Sequence, residues 1–295
     1  MPEREPAEFR PRREGSPWPI VIVVVVLAAA AYGWWYWQQQ KAVPAPPPPV
    51  AAQPQAPQPA PADVPAPPPA GPQNPVDALA EADKALPGLA DSDARVTGAL
   101  DELLGRKPVA SFLQVDGFVR RVVATVDNLP RAHAPARLWP VQPAPQRFEV
   151  QGSGEQKTIS LDNGARYSAF VQFAESVDIT RAVALYARFY PLFQQAYEEL
   201  GYPGRYFNDR LVAVLDHLLQ APEPAGPIQV RLTEVKGEMV LERPWVRYEF
   251  ADPALESLSA GQKMLVRMGP VNERRLKARM TELRRQIATG AVAKK

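Results

Sequence analysis

Thirty-five residues near the N-terminus, KAVPAPPPPVAAQPQAPQPAPADVPAPPPAGPQNP from Lys41 to Pro75, decide how the rest of the chain can be organised. They hold fifteen of the thirty-five prolines and one charged side chain, Asp63, beyond Lys41. Proline fixes φ and lacks an N–H, so neither a helix nor a sheet can run through this stretch. Polyproline II is its default, with a reach on the order of 110 Å if fully extended. It is read as a plain spacer, with a PxxP ligand for an SH3-like partner as the sharper alternative. Sequence on its two sides is therefore expected to fold separately.

On the N-terminal side lies IVIVVVVLAAAAYGWWYW, Ile20 to Trp37, eighteen residues without a charge. As a helix it would be roughly 27 Å long, close to the hydrocarbon thickness of a bilayer. Pro19 suits a first helical turn. Tyr32, Trp34, Trp35, Tyr36 and Trp37 crowd one end and Trp18 stands at the other, the pattern of an aromatic belt at the headgroup level. A cleaved signal peptide competes, with Ala29-Ala30-Ala31 as its small-residue site. The leader, however, has four acids beside Arg4, Arg10, Arg12 and Arg13, and the belt favours a segment that stays. A buried core helix ranks last, because a proline-rich run follows at once. Four arginines precede the span and only Lys41 follows closely, so the positive-inside rule expects a single-pass helix with a cytoplasmic N-terminus. In a Gram-negative cell everything after Trp37 would then lie in the periplasm.

From Val76 onward the composition becomes globular, and about 220 residues can bury a sizeable core. The spacing predicts mostly helices. Asp91 to Leu104 has a Ser or Asp cap, Val96, Leu100 and Leu103 on one face, and Gly105 as a stop. Ser111 to Pro130 places Phe112, Val115, Val119, Val122, Val126 and Leu129 at intervals of three and four, which predicts one helix. Arg131 to Arg147 is proline-broken. Phe148 to Leu161 reads as a hairpin around Gly152 and Gly154. A short helix is expected over Ala165 to Val177, and a long one over Ile179 to Gly201, kinked or split at Pro191. Ile228 to Phe250 reads as two strands. Asp252-Pro253 starts two further helices, separated at Gly269-Pro270. The expected fold class is mainly α with one or two small β-hairpins (α+β).

GYPGRYFNDRLVAVLDHLL, Gly201 to Leu219, has the look of a site. It contains one of the two histidines, with Asp209, Arg210 and Asp216 close in sequence. Tyr202-Pro203-Gly204-Arg205 suits a type II turn. Asn208 or Asp209 can cap the helix that follows, with Leu211, Val214, Leu215, Leu218 and Leu219 on its apolar face. Capping and surface ion pairing account for these charges better than catalysis does. Asp209 and Asp216 are seven residues apart, roughly 10.5 Å of helical rise, longer than either carboxylate separation of glycoside hydrolysis. There is no GxSxG, SxxK or GxxxxGK[ST]. Without cysteine, and with His133 and His217 84 residues apart and no HExxH, neither a thiolate nor a zinc site is expected, and no cofactor is read. A tethered hydrolase using Asp209, Asp216 and His217 stands as the alternative. Tyr202, Arg205, Tyr206, Asn208, Asp209 and Arg210 are the candidate binding residues.

FVRRVVATVDNLPR (Phe118 to Arg131), YPLFQQAYEELGYPGRYFNDRLVAVLDHLL (Tyr190 to Leu219) and ADPALESLSAGQKMLVRMGP (Ala251 to Pro270) resemble the domain-of-unknown-function 3014 family of proteobacteria. LPGLADSD, Leu86 to Asp93, resembles the start of that domain, and the likeness extends to about Arg285. It implies one N-terminal membrane segment, a proline-rich stretch and one folded domain. It brings no activity, ligand or catalytic residue to carry over.

The last 45 residues hold ten Lys and Arg against four acids, whereas residues 75 to 250 hold 19 against 23. Val271 to Ile287 has Leu276, Met280, Leu283 and Ile287 at helical spacing. Arg274, Arg275, Lys277, Arg279, Arg284 and Arg285 fill most of the rest. A core-packed helix with a solvated basic face is the first reading, and an anionic envelope ligand or acidic protein is the alternative. Nucleic acid fits the charge but not the expected side of the membrane, and no aromatics interleave the arginines. It returns only if the topology is inverted. The expected plan is a cytoplasmic tail (1–17), a transmembrane helix (18–38), a disordered linker (39–76), a globular helical domain (77–289) and a basic tail (290–295). That plan describes a binding or scaffolding protein of the cell envelope, anchored in the inner membrane, not an enzyme.

Overall fold

A computed structural model describes residues 71–79, 82–83, 85–154, 156–233 and 244–290. The apolar segment Ile20 to Trp37, most of the proline-rich run and the last five residues lie outside the described residues. Among the described residues no helix is long and apolar enough to cross a membrane.

The described part is mainly α with two small antiparallel β-pairs, as the periodicity predicts. Helices α1 (Asp93–Leu104), α2 (Arg106–Phe112) and α3 (Phe118–Asn128) come first. Strands β1 (Val150–Gln151) and β2 (Thr158–Ile159) follow, then α4 (Asn163–Ser176), α5 (Ile179–Glu199) and α6 (Phe207–Leu219). Strands β3 (Val230–Leu232) and β4 (Tyr248–Phe250) precede α7 (Pro253–Glu256), α8 (Ala260–Arg267) and α9 (Pro270–Ile287). The hairpin around Gly152 and Gly154 forms as expected, with Val150 opposite Ile159. Val230 pairs with Phe250. The Ile159 N–H donates to the Ile228 carbonyl and the Val230 N–H to the Lys157 carbonyl, so the two pairs join edge to edge.

Several terminators act where the local chemistry puts them. Gly105 ends α1 at φ 87°. Asp252 caps α7, its carboxylate accepting from the Ala254 N–H at 2.8 Å. Helix α5 runs unbroken through Pro191, so of the expected kink or split the split does not occur. Proline costs one i→i−4 bond, but Phe189, Tyr190, Leu192 and Phe193 on both sides of it are buried in the main core.

The single helix expected over Ser111 to Pro130 is two helices. Gly117 adopts the left-handed conformation (φ 60°) and donates its N–H to the Asp93 carboxylate at 2.9 Å. Leu113 forms an isolated antiparallel bridge with Val141. The apolar spacing is continuous across the break because both halves face one core, and periodicity alone cannot register such a break.

Helix α9 packs against α4, α5, α6 and α8, while α3 packs against α5 and α6. The start of α8 crosses close to α6 and the end of α3. A Cβ on Gly261 would press on Leu218 Cδ2 and lie 3.1 Å from the Leu129 carbonyl oxygen, so a larger residue there would have to displace Leu218 and crowd the end of α3. Ser259 and Gln262 form a capping box for α8.

One buried titratable group sits in α9. Glu273 is 1% exposed, with Lys277 Nζ 2.9 Å from one carboxylate oxygen. Burial pushes its carboxyl above the usual range, while Lys277 pulls the other way. A raised folded-state value means that its favourable contribution is complete at acid pH and is lost as pH rises through that value. Glu273→Gln is therefore expected to unfold at a higher denaturant concentration than the wild type at pH 8, with the gap closing toward pH 4. Urea melts at both pH values test this, and a gap constant with pH refutes it.

Candidate functional site

The stretch Gly201 to Leu219 is the hub of two polar clusters. Its first part is the expected turn: Gly204 has φ 71° and the Arg205 N–H donates to the Tyr202 carbonyl at 3.2 Å. The turn delivers Tyr206 as the residue preceding α6. Neither Asn208 nor Asp209 caps the helix, in contrast to the expectation. Tyr206 is at the cap position with no side-chain bond to the helix amides, and the free amides are satisfied from α5. The Phe207 N–H donates to Gln194 Oε1 at 2.9 Å, and the Asn208 N–H donates to the Tyr190 hydroxyl at 3.2 Å. Burial raises the Tyr186 and Tyr190 phenols above their ordinary range, so both stay neutral donors.

Because α5 does the capping, Asn208 and Asp209 are free to hold other segments. Asp209 accepts from the Gln73 N–H (2.9 Å), the Asn74 N–H (2.7 Å) and Asn74 Nδ2 (3.0 Å). Tyr206 accepts on its hydroxyl from the Val76 N–H at 2.8 Å. Asn208, fully buried, donates to the carbonyls of Asn74 (2.9 Å) and Ile287 (3.0 Å) and accepts from the Tyr186 hydroxyl (3.2 Å). Thr289 Oγ1 donates to the Pro75 carbonyl at 2.8 Å. Three of the six candidate residues thus form a clamp that fastens the end of the proline-rich run between the start of α6 and the end of α9.

The clamp makes a small, local prediction. Asp209→Ala is expected to cost about 1 kcal/mol, because the lost bonds lie in partly wet surroundings. Hydrogen exchange at the Gln73 and Asn74 amides should rise to unprotected rates while α3 and α5 stay protected. Retained protection at both amides would show that the carboxylate does not hold them.

The second cluster centres on Asp127, which is 3% exposed. Arg131 approaches one carboxylate oxygen at 2.5 Å and Arg210 the other at 3.1 Å. The Tyr202 hydroxyl donates to it at 3.1 Å. The Asp127 carboxylate holds the Arg131 guanidinium above its usual range. Tyr202 also stacks on Tyr197 at 4.7 Å. Arg205 contributes its carbonyl, which accepts from Gln194 Nε2 at 2.7 Å. Sequence reading missed Asp127, although its i,i+4 spacing to Arg131 was a usable signal.

The carboxylates and imidazole of the hydrolase alternative do not converge. Asp209 holds Gln73 and Asn74, and Asp216 is held by Arg284 in a two-pronged pair. His217 Nε2 lies 2.9 Å from Ser259 Oγ. That hydroxyl is buried and accepts from the Gln262 N–H as the cap of α8. Among the described residues no group of three or more His, Asp or Glu is placed to hold a metal ion.

The basic face of α9 stays partly exposed, and most of its charges are met by acids in ion pairs. Arg275 pairs with Glu175, Lys277 with Glu273 and Glu223, Arg279 with Glu282 and Arg284 with Asp216. Arg274 reaches Glu223 at 3.9 Å. Arg285 is exposed and forms no ion pair among the described residues. Helical spacing shows which side chains share a face. It does not show which acids, here up to a hundred residues away, come to meet them.

A family model described as "Protein of unknown function (DUF3014)" matches residues 118–284, more than half of the chain. The match takes in α3 to most of α9, with Asp127, Asn208 and Asp209, and begins after the Leu86 to Asp93 segment. No curated protein and no solved structure matches the chain.

Proposed function

The chain belongs to the DUF3014 family, and from that premise we propose that it is a membrane-anchored envelope protein whose helical domain binds or scaffolds on the periplasmic side. Ile20 to Trp37 is the anchor and Lys41 to Pro75 the spacer. The observation that carries the reading is the clamp. Asp209, Asn208 and Tyr206 take hold of Gln73 to Val76 in four residues, giving the end of the proline-rich run a fixed attachment. Such an attachment serves a domain carried on a tether, since it sets where the spacer leaves the fold. The engaged state of Asp209, Asp216 and His217 favours binding over hydrolysis.

Topology tests the reading. A reporter active only outside the cytoplasm, fused after Lys295, should be active, and one that fluoresces only inside should stay dark. The reverse pattern would overturn the periplasmic assignment, and Arg285 and the neighbouring basic residues would become the first surface to test for nucleic acid.

A further inference from the structure

Helices α1 and α5 line a surface groove of about 370 Å³. The α1 wall presents Ala94, Arg95, Gly98 and Glu102, all exposed. The α5 wall presents Arg181, Ala184 and Arg188, also exposed. Val96 and Leu100, on the other side of α1, face the core. The outer face of α1 is therefore charged at two points, with Gly98 between them.

Asp83 gives the orientation of the two walls. It pairs with Arg95 at 3.3 Å, and its N–H donates to the Arg188 carbonyl at 3.0 Å. Arg95 and Arg188 therefore mark one end of the groove, and α1 runs antiparallel to α5. That end is basic and already accommodates one carboxylate. Glu102, seven residues beyond Arg95 and about 10.5 Å along the helix, marks the other end, with Arg181 on the facing α5 wall. It forms no ion pair among the described residues.

We propose that this face is a self-association surface, in which α1 of a second copy crosses antiparallel over Gly98 and places its Glu102 at the Arg95–Arg188 end. The arrangement satisfies the two-fold rule that if residue i meets j, then j meets i. Arg95 and Glu102 are equidistant from the midpoint beside Gly98, so antiparallel crossing brings unlike charges together twice. Gly98 and Ala94 allow the two backbones to approach closely. One helix pair is a small interface, so the association is weak in free solution. Tethering in a membrane would raise the effective concentration. The inference does not depend on which side of the membrane the domain occupies, so the topology experiment can fail without affecting it.

The chain has no cysteine, so a single introduced thiol reports proximity directly. A Cβ at Gly98 meets nothing within 4 Å, and Gly98→Cys leaves the fold unstrained. Full-length Gly98→Cys in membranes is expected to oxidise to a disulfide dimer about tenfold faster than Ala278→Cys, an exposed control on α9. Adding Arg95→Glu or Glu102→Arg should reduce that rate by about tenfold each, since attraction becomes repulsion at both symmetric pairs. Mixing the two charge variants, or combining both changes in one chain, should restore it, which no loss of folding could do. Equal rates at Gly98→Cys and Ala278→Cys would overturn the proposal. So would failure of the mixture and the double variant to recover, which would leave the groove to a different partner.

Discussion

Asp127→Ala is expected to lower the stability of the fold by about 3 kcal/mol. Asp127 is buried and meets Arg131, Arg210 and the Tyr202 hydroxyl at once. Removing one member of a buried charge cluster leaves the others uncompensated. Arg131 is half exposed and can return to water, which keeps the loss at the lower end of the range for such pairs. Arg210 cannot do so as easily: its Nε is already buried without a partner, and its remaining contact is the Asp127 carbonyl. Asp127→Asn, which keeps an acceptor and the shape but loses the charge, should cost about half as much. Urea unfolding of the three proteins decides the matter. An alanine variant within about 0.5 kcal/mol of the wild type would mean that the cluster does not hold α3, the Tyr202 turn and α6 together.

Asn208→Ala is expected to cost a similar amount, about 3 kcal/mol, for a different reason. No charge is lost. Instead the Tyr186 hydroxyl and the Ile287 carbonyl, both satisfied by one amide group, are left without that partner in the interior. Ile287 is fully buried, so water cannot readily replace the bond. Asn208→Asp should be no better, because a carboxylate would face the carbonyl oxygens of Asn74 and Ile287 with no proton to give. Hydrogen exchange adds a readout that separates clamp from ligand site. Loss of the clamp should speed exchange at Val76 and Gly290 together, at the two ends of the described chain. A variant with wild-type stability and unchanged exchange would return Asn208 to the list of ligand-binding residues.

These two residues show how far the sequence could be read. Asn208 is in a stretch with the look of a site, and its role is to hold Asn74 and Ile287, near the two ends of the described residues. Asp127 lies in a segment recognisable by family resemblance, but nothing within it announces that Arg210, 83 residues on, will reach it. The short-range signals held: the turn at Gly204, the hairpin at Gly152 and Gly154, the Asp252 cap and the Gly105 stop. Each is decided by the steric and hydrogen-bonding preferences of four or five consecutive residues. Two expectations turned on distant partners. Asn208 was expected to cap α6, but Gln194 and Tyr190 reach in from α5 to do so. A solvated face is expected on α9, and it stays partly exposed, but Glu175, Glu223 and Asp216 meet its charges.

By itself, then, the sequence determined the class of fold and the positions of most helices among the described residues. Those properties follow from φ restriction, missing donors and apolar periodicity, which act along the chain. The tertiary structure alone decided what the polar side chains do. A carboxylate or amide is satisfied by whichever group lies within about 3 Å, and the contacts that bring Gln73 to Asp209 or Arg284 to Asp216 close loops of many residues. The driving force for closing them is burial of the shared apolar core, which is not directional. The polar partners are fixed only once that core has set the helices in place.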